Sequence, residues 1–409
     1  MSDTVEFGGW PRPPRWVWVI AGIAAVALLA GEVATRSGPR HPASSPRPPA
    51  ATSPPPGSVA VTGSRARWTT AAGACGSPAY LPRIRLAGHD PGLDVTALVG
   101  GTALRQVGPG GTVSTPLPGL QDQGLVVTKL VAGPGAAYAF VDPRCSGYLW
   151  VYRIVAGVAS PLSIAADDLL GGPRHAWAVT YAPRTVLTPL NGGRKVTLKA
   201  STDPVADTAA GLVVAHAGPR AGRPGTVELF DPGTGTLLRR LAAGSPLGAG
   251  GGAVLVTRPG CGTSLAHRTC TLESIGLRTG RVTARFTLPA GRVPVSDAVF
   301  SADGTVAAFQ LARAGQGSAF PGGRASPPAD VAVLHVRTGS LDIVPGLELA
   351  PGTGAGLAFD ATGGWLLLTV NEGDHGELLA WRHGMPGPAL VASLAGPLMA
   401  APPLLAVLP

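Results

Sequence analysis

Asp297-Ala-Val-Phe300-Ser-Ala-Asp303-Gly304-Thr-Val-Ala-Ala-Phe309, followed after a loop by Val331-Ala-Val-Leu-His335-Val-Arg-Thr338-Gly339-Ser-Leu-Asp-Ile-Val344, decides the architecture. The apolar residues do not recur at helical spacing. They form short apolar or alternating runs rich in Val, Leu and Phe, bounded by Gly, Asp and Thr, which is the pattern of half-buried or buried strands. Asp303-Gly304 and Thr338-Gly339 are hairpin signals, because glycine takes the positive φ of a tight turn without steric cost. Asp297–Leu347 therefore reads as strand, tight turn, strand, loop, strand, tight turn, strand. A lone sheet of this kind leaves apolar faces open, so it must stack against neighbours.

Weaker copies of the unit recur. The glycine of its second turn has counterparts at Gly111, Gly157, Gly193, Gly235, Gly280, Gly339 and Gly384, with successive spacings of 46, 36, 42, 45, 59 and 45. The mean, (384 − 111)/6 or about 45, is the period of propeller blades. The long interval holds a Gly-, Ser- and Pro-rich insertion from Gly315 to Pro328. The strands before these turns are alike: Leu149-Trp-Val-Tyr-Arg, Val227-Glu-Leu-Phe-Asp, Leu272-Glu-Ser-Ile-Gly, Val331-Ala-Val-Leu-His and Leu378-Leu-Ala-Trp-Arg. The fold class is all-β: a seven-bladed propeller of four-stranded antiparallel blades, with six or eight blades as alternatives. The C-terminal Pro403-Leu-Leu-Ala-Val-Leu408 is expected to return as a strand of the first blade, because closing the ring removes exposed edges.

Phe230-Asp-Pro-Gly-Thr-Gly235 resembles the repeat units of YVTN-like and quinoprotein-like propellers. The turns Ser301-Ala-Asp-Gly304 and Asp360-Ala-Thr-Gly363, each after Phe, resemble the Ser-Pro-Asp-Gly turn of WD40-like and TolB-like propellers. The likeness spans about residues 90–400 and implies a fold, that of bacterial membrane-anchored propellers of this superfamily. It implies no activity, because these propellers host many roles. No Gly-His…Trp-Asp pairing recurs, which speaks against eukaryotic-type WD40 repeats.

Composition agrees. With 59 Gly and 42 Pro in 409 residues, a helical bundle is excluded and many short strands are favoured. The net charge of +9 is dilute: residues 1–70 hold seven Arg against three acids, and the rest hold 25 basic and 20 acidic groups. A nucleic-acid binder would cluster Lys and Arg on one face, so no nucleic acid is expected as partner.

In chain order, residues 1–15 form a short polar tail with Pro11, Pro13 and Pro14, expected in the cytoplasm. Residues 16–35 are expected to form a single transmembrane anchor. Trp16–Gly31 is a continuous apolar run, Val33-Ala34 extend it, and Trp16 and Trp18 mark its edge. A cleavable signal peptide is the rival; cutting after Ala34 would leave Glu32 at the −3 position, where a small residue is required. Residues 36–67 form a Pro-rich linker suited to extended polyproline II. Residues 68–409 form the propeller, expected outside the cytoplasmic membrane.

Four cysteines, Cys75, Cys145, Cys261 and Cys270, allow three pairings. The closeness of Cys261 and Cys270 across a small polar loop favours a local bridge and leaves Cys75 for Cys145. An even count in an anchored chain fits an oxidising compartment. A metal site would want Cys-x2-Cys or a histidine pair, and only His267 is near. No His-Glu-x-x-His, Gly-x-Ser-x-Gly or Walker loop occurs, so no catalytic, cofactor or metal residues are assigned and no cofactor is expected. Asn371-Glu-Gly-Asp374-His375 is the most ligand-like short cluster; a solvated loop is its plain explanation.

The function expected from these features is a non-enzymatic binding or scaffolding module of the cell envelope. The alternative is an enzyme using the central funnel, such as a quinoprotein-like dehydrogenase or a lyase. Charged side chains from several blades meeting in the channel would favour chemistry; a channel lined by Val, Ala and Gly would favour a scaffold. The loops between second and third strands carry Arg144, Arg184, Arg220, Arg223, Arg258, Arg268 and Arg324. They should emerge on one face, a candidate surface for an anionic envelope component or another protein.

Overall fold

A computed structural model describes residues 70–72, 78–89, 91–120, 125–143, 149–181, 183–199, 202–216, 225–258, 261, 269–313, 328–351, 354–372, 375–396 and 405–408. The expected anchor at residues 16–35, the linker, Cys75 and Cys145 lie outside them. Among the described residues no helix is long and apolar enough to cross a membrane.

Seven antiparallel sheets follow one another along the chain. Blade 1 pairs Thr96–Gly100, Leu104–Gly108 and Gly111–Ser114 with the C-terminal Leu405–Leu408. Blade 2 runs Leu125–Gly133, Ala136–Pro143, Trp150–Val155, Val158–Leu162, and blade 3 runs Asp168–Leu170, Trp177–Thr180, Val186–Pro189, Val196–Thr197. Blade 4 comprises Thr202–Thr208, Gly211–His216, Thr226–Phe230 and Leu237–Ala243; blade 5 comprises Ser245–Gly250, Ala253–Thr257, Thr271–Gly276 and Val282–Thr287. Blade 7 comprises Gly356–Phe359, Leu366–Glu372, His375–Trp381 and Ala389–Ala395. Blade 6 departs from the sequence reading at its start. It opens at Arg292 rather than Asp297, and its inner strand is interrupted: Arg292–Pro294 and Val299–Phe300 both pair with Val306–Arg313, ahead of Ala329–His335 and Leu341–Ile343.

The seven repeat glycines all lie in the turn between third and outer strand, and each has positive φ, from 67° at Gly280 to 127° at Gly193. That is the backbone requirement which made them visible as a period. Tight contact fixes another pair: a Cβ on Gly251 would lie 2.1 Å from the Cα of Gly304, so the first turns of blades 5 and 6 touch through bare backbone.

The core is divided among the blade interfaces. Leu98, Leu104, Val127 and Tyr152 join blades 1 and 2; Val131, Tyr138, Leu169 and Ala178 join 2 and 3; Trp177, Leu187, Leu212 and Phe230 join 3 and 4. Val213, Leu229, Val254 and Ile275 join 4 and 5; Leu255, Leu272, Phe309 and Leu334 join 5 and 6; Val331, Val333, Leu368 and Trp381 join 6 and 7. Ala97, Leu405, Leu367 and Leu378 then join blade 7 to blade 1 and close the ring. Each sheet is apolar on both faces because each face meets a neighbour.

The closing strand bears out the expectation for the C-terminus: Leu405 pairs with Val99 and Leu408 with Thr96. The incoming chain straps the outside. Arg83–Ile84 pairs with Leu347–Glu348, and Gly88–His89 runs parallel to Ala389-Leu390 at the edge of blade 7. The Cys261–Cys270 bridge is present, with Cα atoms 4.8 Å apart, between the second and third strands of blade 5.

Candidate functional site

The inner strands of the blades contact one another in sequence around the ring, from Leu405–Leu408 through blades 2 to 7 and back. They enclose a central channel. Along their level the ladders break repeatedly. A bulge falls between Val127 and Lys129 in blade 2, between Pro204 and Ala206 in blade 4, and between Pro246 and Gly248 in blade 5. In blade 6 the inner strand is interrupted at residues 295–298, where the Ser296 hydroxyl accepts from the Gln310 N–H at 2.9 Å. A bulge bends its strand and re-aims the neighbouring side chains.

Four charged side chains converge there: Lys129 of blade 2, Asp168 of blade 3, Asp203 of blade 4 and Asp297 of blade 6. Lys129 Nζ donates to Asp168 Oδ1 at 2.6 Å, and the backbone N–H of Leu169 donates to the same oxygen at 2.8 Å. Tyr181, just past the second strand of blade 3, donates its hydroxyl to Asp203 Oδ1 at 3.1 Å, while its backbone N–H donates to Asp167 Oδ2 at 2.8 Å. Asp297 feels the charges of Lys129, Asp203 and Asp168. Blades 2 and 6 are not neighbours, so that coupling runs across the channel. Asp168 and Asp203 pair with Val179 and Ala215, close to the C-terminal ends of the second strands. The cluster therefore sits toward the rim from which the second-to-third-strand loops leave.

The electrostatics are those of a walled but wet site. Asp203 and Asp297 stay open to solvent-sized space, yet protein surrounds them, and this desolvation raises both carboxyls above the ordinary range. For Asp297 the attraction of Lys129 opposes the shift and the neighbouring Asp203 and Asp168 reinforce it. For Asp203 the hydrogen bond from Tyr181 opposes it. The Tyr181 hydroxyl is pushed far up by burial and by the surrounding aspartates. Counting Lys129 against Asp168, Asp203 and Asp297, the cluster carries a net charge of −2 with all carboxyls ionised. It suits a cationic group.

The expected arginine face is described at two positions. Arg184 is exposed in the loop between the second and third strands of blade 3. Arg258 is not a spare cation: its Nη1 donates to Glu273 Oε1 at 2.7 Å, and Arg285 Nε donates to the same oxygen at 2.8 Å. Arg144, Arg220, Arg223, Arg268 and Arg324 lie outside the described residues. A cleft of about 500 Å³ beside blade 6 brings together Arg83, Arg85, Arg292 and Arg313, with Asp330 and Glu348 as counter-charges. The sequence reading singled out neither this cleft nor the channel cluster.

No family model matches the chain, and no curated protein matches it. Solved structures share the fold at low likeness. Hydrazine synthase of Kuenenia stuttgartiensis aligns with TM-score 0.43 and 14% identity, over 69% of this chain and 88% of that one. A Lactobacillus plantarum protein aligns at 0.46 and 12%, over 78% of this chain and all of that one. A puromycin-hydrolyzing peptidase of Mycobacterium tuberculosis aligns at 0.46 and 13%, over 79% of this chain and 56% of that one. At these scores the likenesses say nothing of ligand or reaction. The propeller itself stands on its own sheets and interfaces, and the resemblance to WD40-like, YVTN-like and TolB-like propellers holds at the level of fold.

Proposed function

We propose that this protein is a membrane-anchored, extracytoplasmic propeller that binds a ligand or partner through the mouth of its central channel, and that the group received there is a cation, an ammonium or guanidinium. The observation that carries this is the convergence of Lys129, Asp168, Asp203 and Asp297 from four blades. A channel serving only as scaffold has no use for three carboxylates gathered at one mouth, where partial desolvation and mutual repulsion cost stability at neutral pH. An entering cation lowers that cost. The apolar run at Trp16–Gly31, the Pro-rich linker and the Cys261–Cys270 bridge support location outside the membrane in an oxidising compartment.

The test is titration of the protein with 1,4-diaminobutane at low ionic strength. Binding should weaken as salt is added, and Asp203→Asn or Asp297→Asn should weaken it at least tenfold. Equal binding by wild type and both variants, or none by wild type, overturns the assignment.

A catalytic channel is the second reading, favoured by the Tyr181–Asp203 pair, which sets a proton donor against a carboxyl of raised pKa at the mouth. The two separate by the fate of a ligand captured from envelope extract. A binding module releases it unchanged by mass spectrometry. An enzyme releases a product, and Tyr181→Phe stops the conversion.

A further inference from the structure

Three blades place a glutamate in the third strand seven residues before the turn glycine: Glu228 in blade 4, Glu273 in blade 5 and Glu377 in blade 7. All three are buried, at 8%, 6% and 5% exposure. A buried carboxylate needs charge compensation. Blades 4 and 5 supply it in the same way. Glu228 meets His216 at 2.7 Å, at the end of the second strand, and Arg240 at 3.2 Å, its register partner on the outer strand. Glu273 meets Arg258 at 2.7 Å, just past the second strand, and Arg285 at 2.8 Å, its register partner on the outer strand. In both blades the residue directly opposite the glutamate on the second strand is valine, Val214 or Val256.

Blade 7 keeps the frame but has no cation at either of those two positions. Glu377 again faces a valine, Val370. The position held by His216 and Arg258 is now Glu372, and the outer-strand position held by Arg240 and Arg285 is Ser393. Glu372 lies opposite His375, and Glu377 is two residues further along the same strand, so all three side chains share one face of the sheet. One ligand atom from each of Glu372, His375 and Glu377 falls within 4.8 Å of the others. Glu377 Oε2 is buried and receives no hydrogen bond among the described residues.

We propose that Glu372, His375 and Glu377 form a binding site for a divalent metal ion, which supplies in blade 7 the positive charge that arginine and histidine supply in blades 4 and 5. One imidazole with two carboxylates is a donor set for a borderline first-row ion such as Zn²⁺. The trio His335, Asp342 and His383 is a weaker candidate. Asp342 Oδ2 already lies 3.0 Å from His335 Nε2 and 2.8 Å from His383 Nδ1, so that carboxylate is compensated within the protein.

The experiment is calorimetric titration of the metal-stripped full chain with ZnCl₂ near neutral pH, with thermal unfolding measured in parallel. Wild type should bind one equivalent tightly and melt higher with zinc. Glu377→Gln, which preserves volume, should bind at least tenfold more weakly, and His383→Ala should bind as wild type. Glu372→Arg rebuilds the arrangement of blade 5; it should raise the melting temperature of the metal-free protein and abolish its response to zinc. The proposal is overturned if wild type does not bind zinc, if Glu377→Gln binds as tightly as wild type, or if the zinc is lost with His383→Ala instead. Failure here leaves the channel mouth untouched, because blade 7 contributes none of its four charged residues.

Discussion

Asp297 shows how a single side chain is set by the backbone that carries it. It lies in the interruption of the inner strand of blade 6, where the ladder to Val306–Arg313 is broken between Pro294 and Val299. Desolvation raises its folded pKa above the unfolded value. Between those two values the folded protein holds a proton that the unfolded chain has released. Stability from this group is therefore greatest below the unfolded pKa and falls as pH rises through the raised one. Asp297→Asn removes the penalty. Its melting temperature should match wild type near pH 3 and exceed it near pH 7, the gap opening as pH rises; a constant gap or a lower neutral-pH value contradicts this. Asp207 is buried outright; desolvation raises its carboxyl too, and hydrogen bonds from Trp177 and His175 oppose the shift. Its side chain is fully buried, accepting the backbone N–H of His175 at 2.8 Å and Trp177 Nε1 at 3.3 Å, so it locks blade 3 to blade 4. Asp207→Ala leaves those donors stranded and should cost about 1–3 kcal/mol in chemical denaturation.

The C-terminal strand Leu405–Leu408 is short but closes the ring. It fills the inner position of blade 1, and Leu405 and Ala406 are each 4% exposed. Removing residues 405–409 uncovers the edge of Thr96–Gly100 and opens the apolar contacts of blade 1 with blades 7 and 2. The melting temperature should fall by many degrees with loss of a single cooperative transition; an unchanged midpoint would mean that the ring does not depend on this strand. The Cys261–Cys270 bridge closes only a short loop, so Cys261→Ser with Cys270→Ser should cost about 2–3 kcal/mol and leave the fold intact. Thiols at these two positions that label freely in protein from its native host would speak against export.

Across the whole molecule, what could be seen in advance is what local chemistry repeats. Gly111 through Gly384 were visible because each third-to-outer turn demands positive φ, and Val331-Ala-Val-Leu334 or Leu378-Leu-Ala-Trp381 because a strand buried on both faces is apolar. The channel cluster was not visible. Lys129, Asp168, Asp203 and Asp297 share no motif, and it is closure of the ring that sets blade 2 across the channel from blade 6. The signal available was slight: single charges in or beside inner strands, three of them near bulges or a break that no residue pattern announces. The blade 7 glutamates were half-visible, since Glu372 and His375 stood in the cluster noted as ligand-like. What gives them meaning is the comparison with Glu228 and Glu273, which requires the register. The ring and its mouth stand or fall together on the coupling between Lys129 and Asp297, two residues far apart in sequence that closure of this ring brings together. It can be read by carboxyl ¹³C NMR of Asp297 across a pH titration, in wild type and in Lys129→Met. Loss of the attracting ammonium should move the Asp297 titration to higher pH; an unmoved titration would place the two residues apart and contradict the convergent channel.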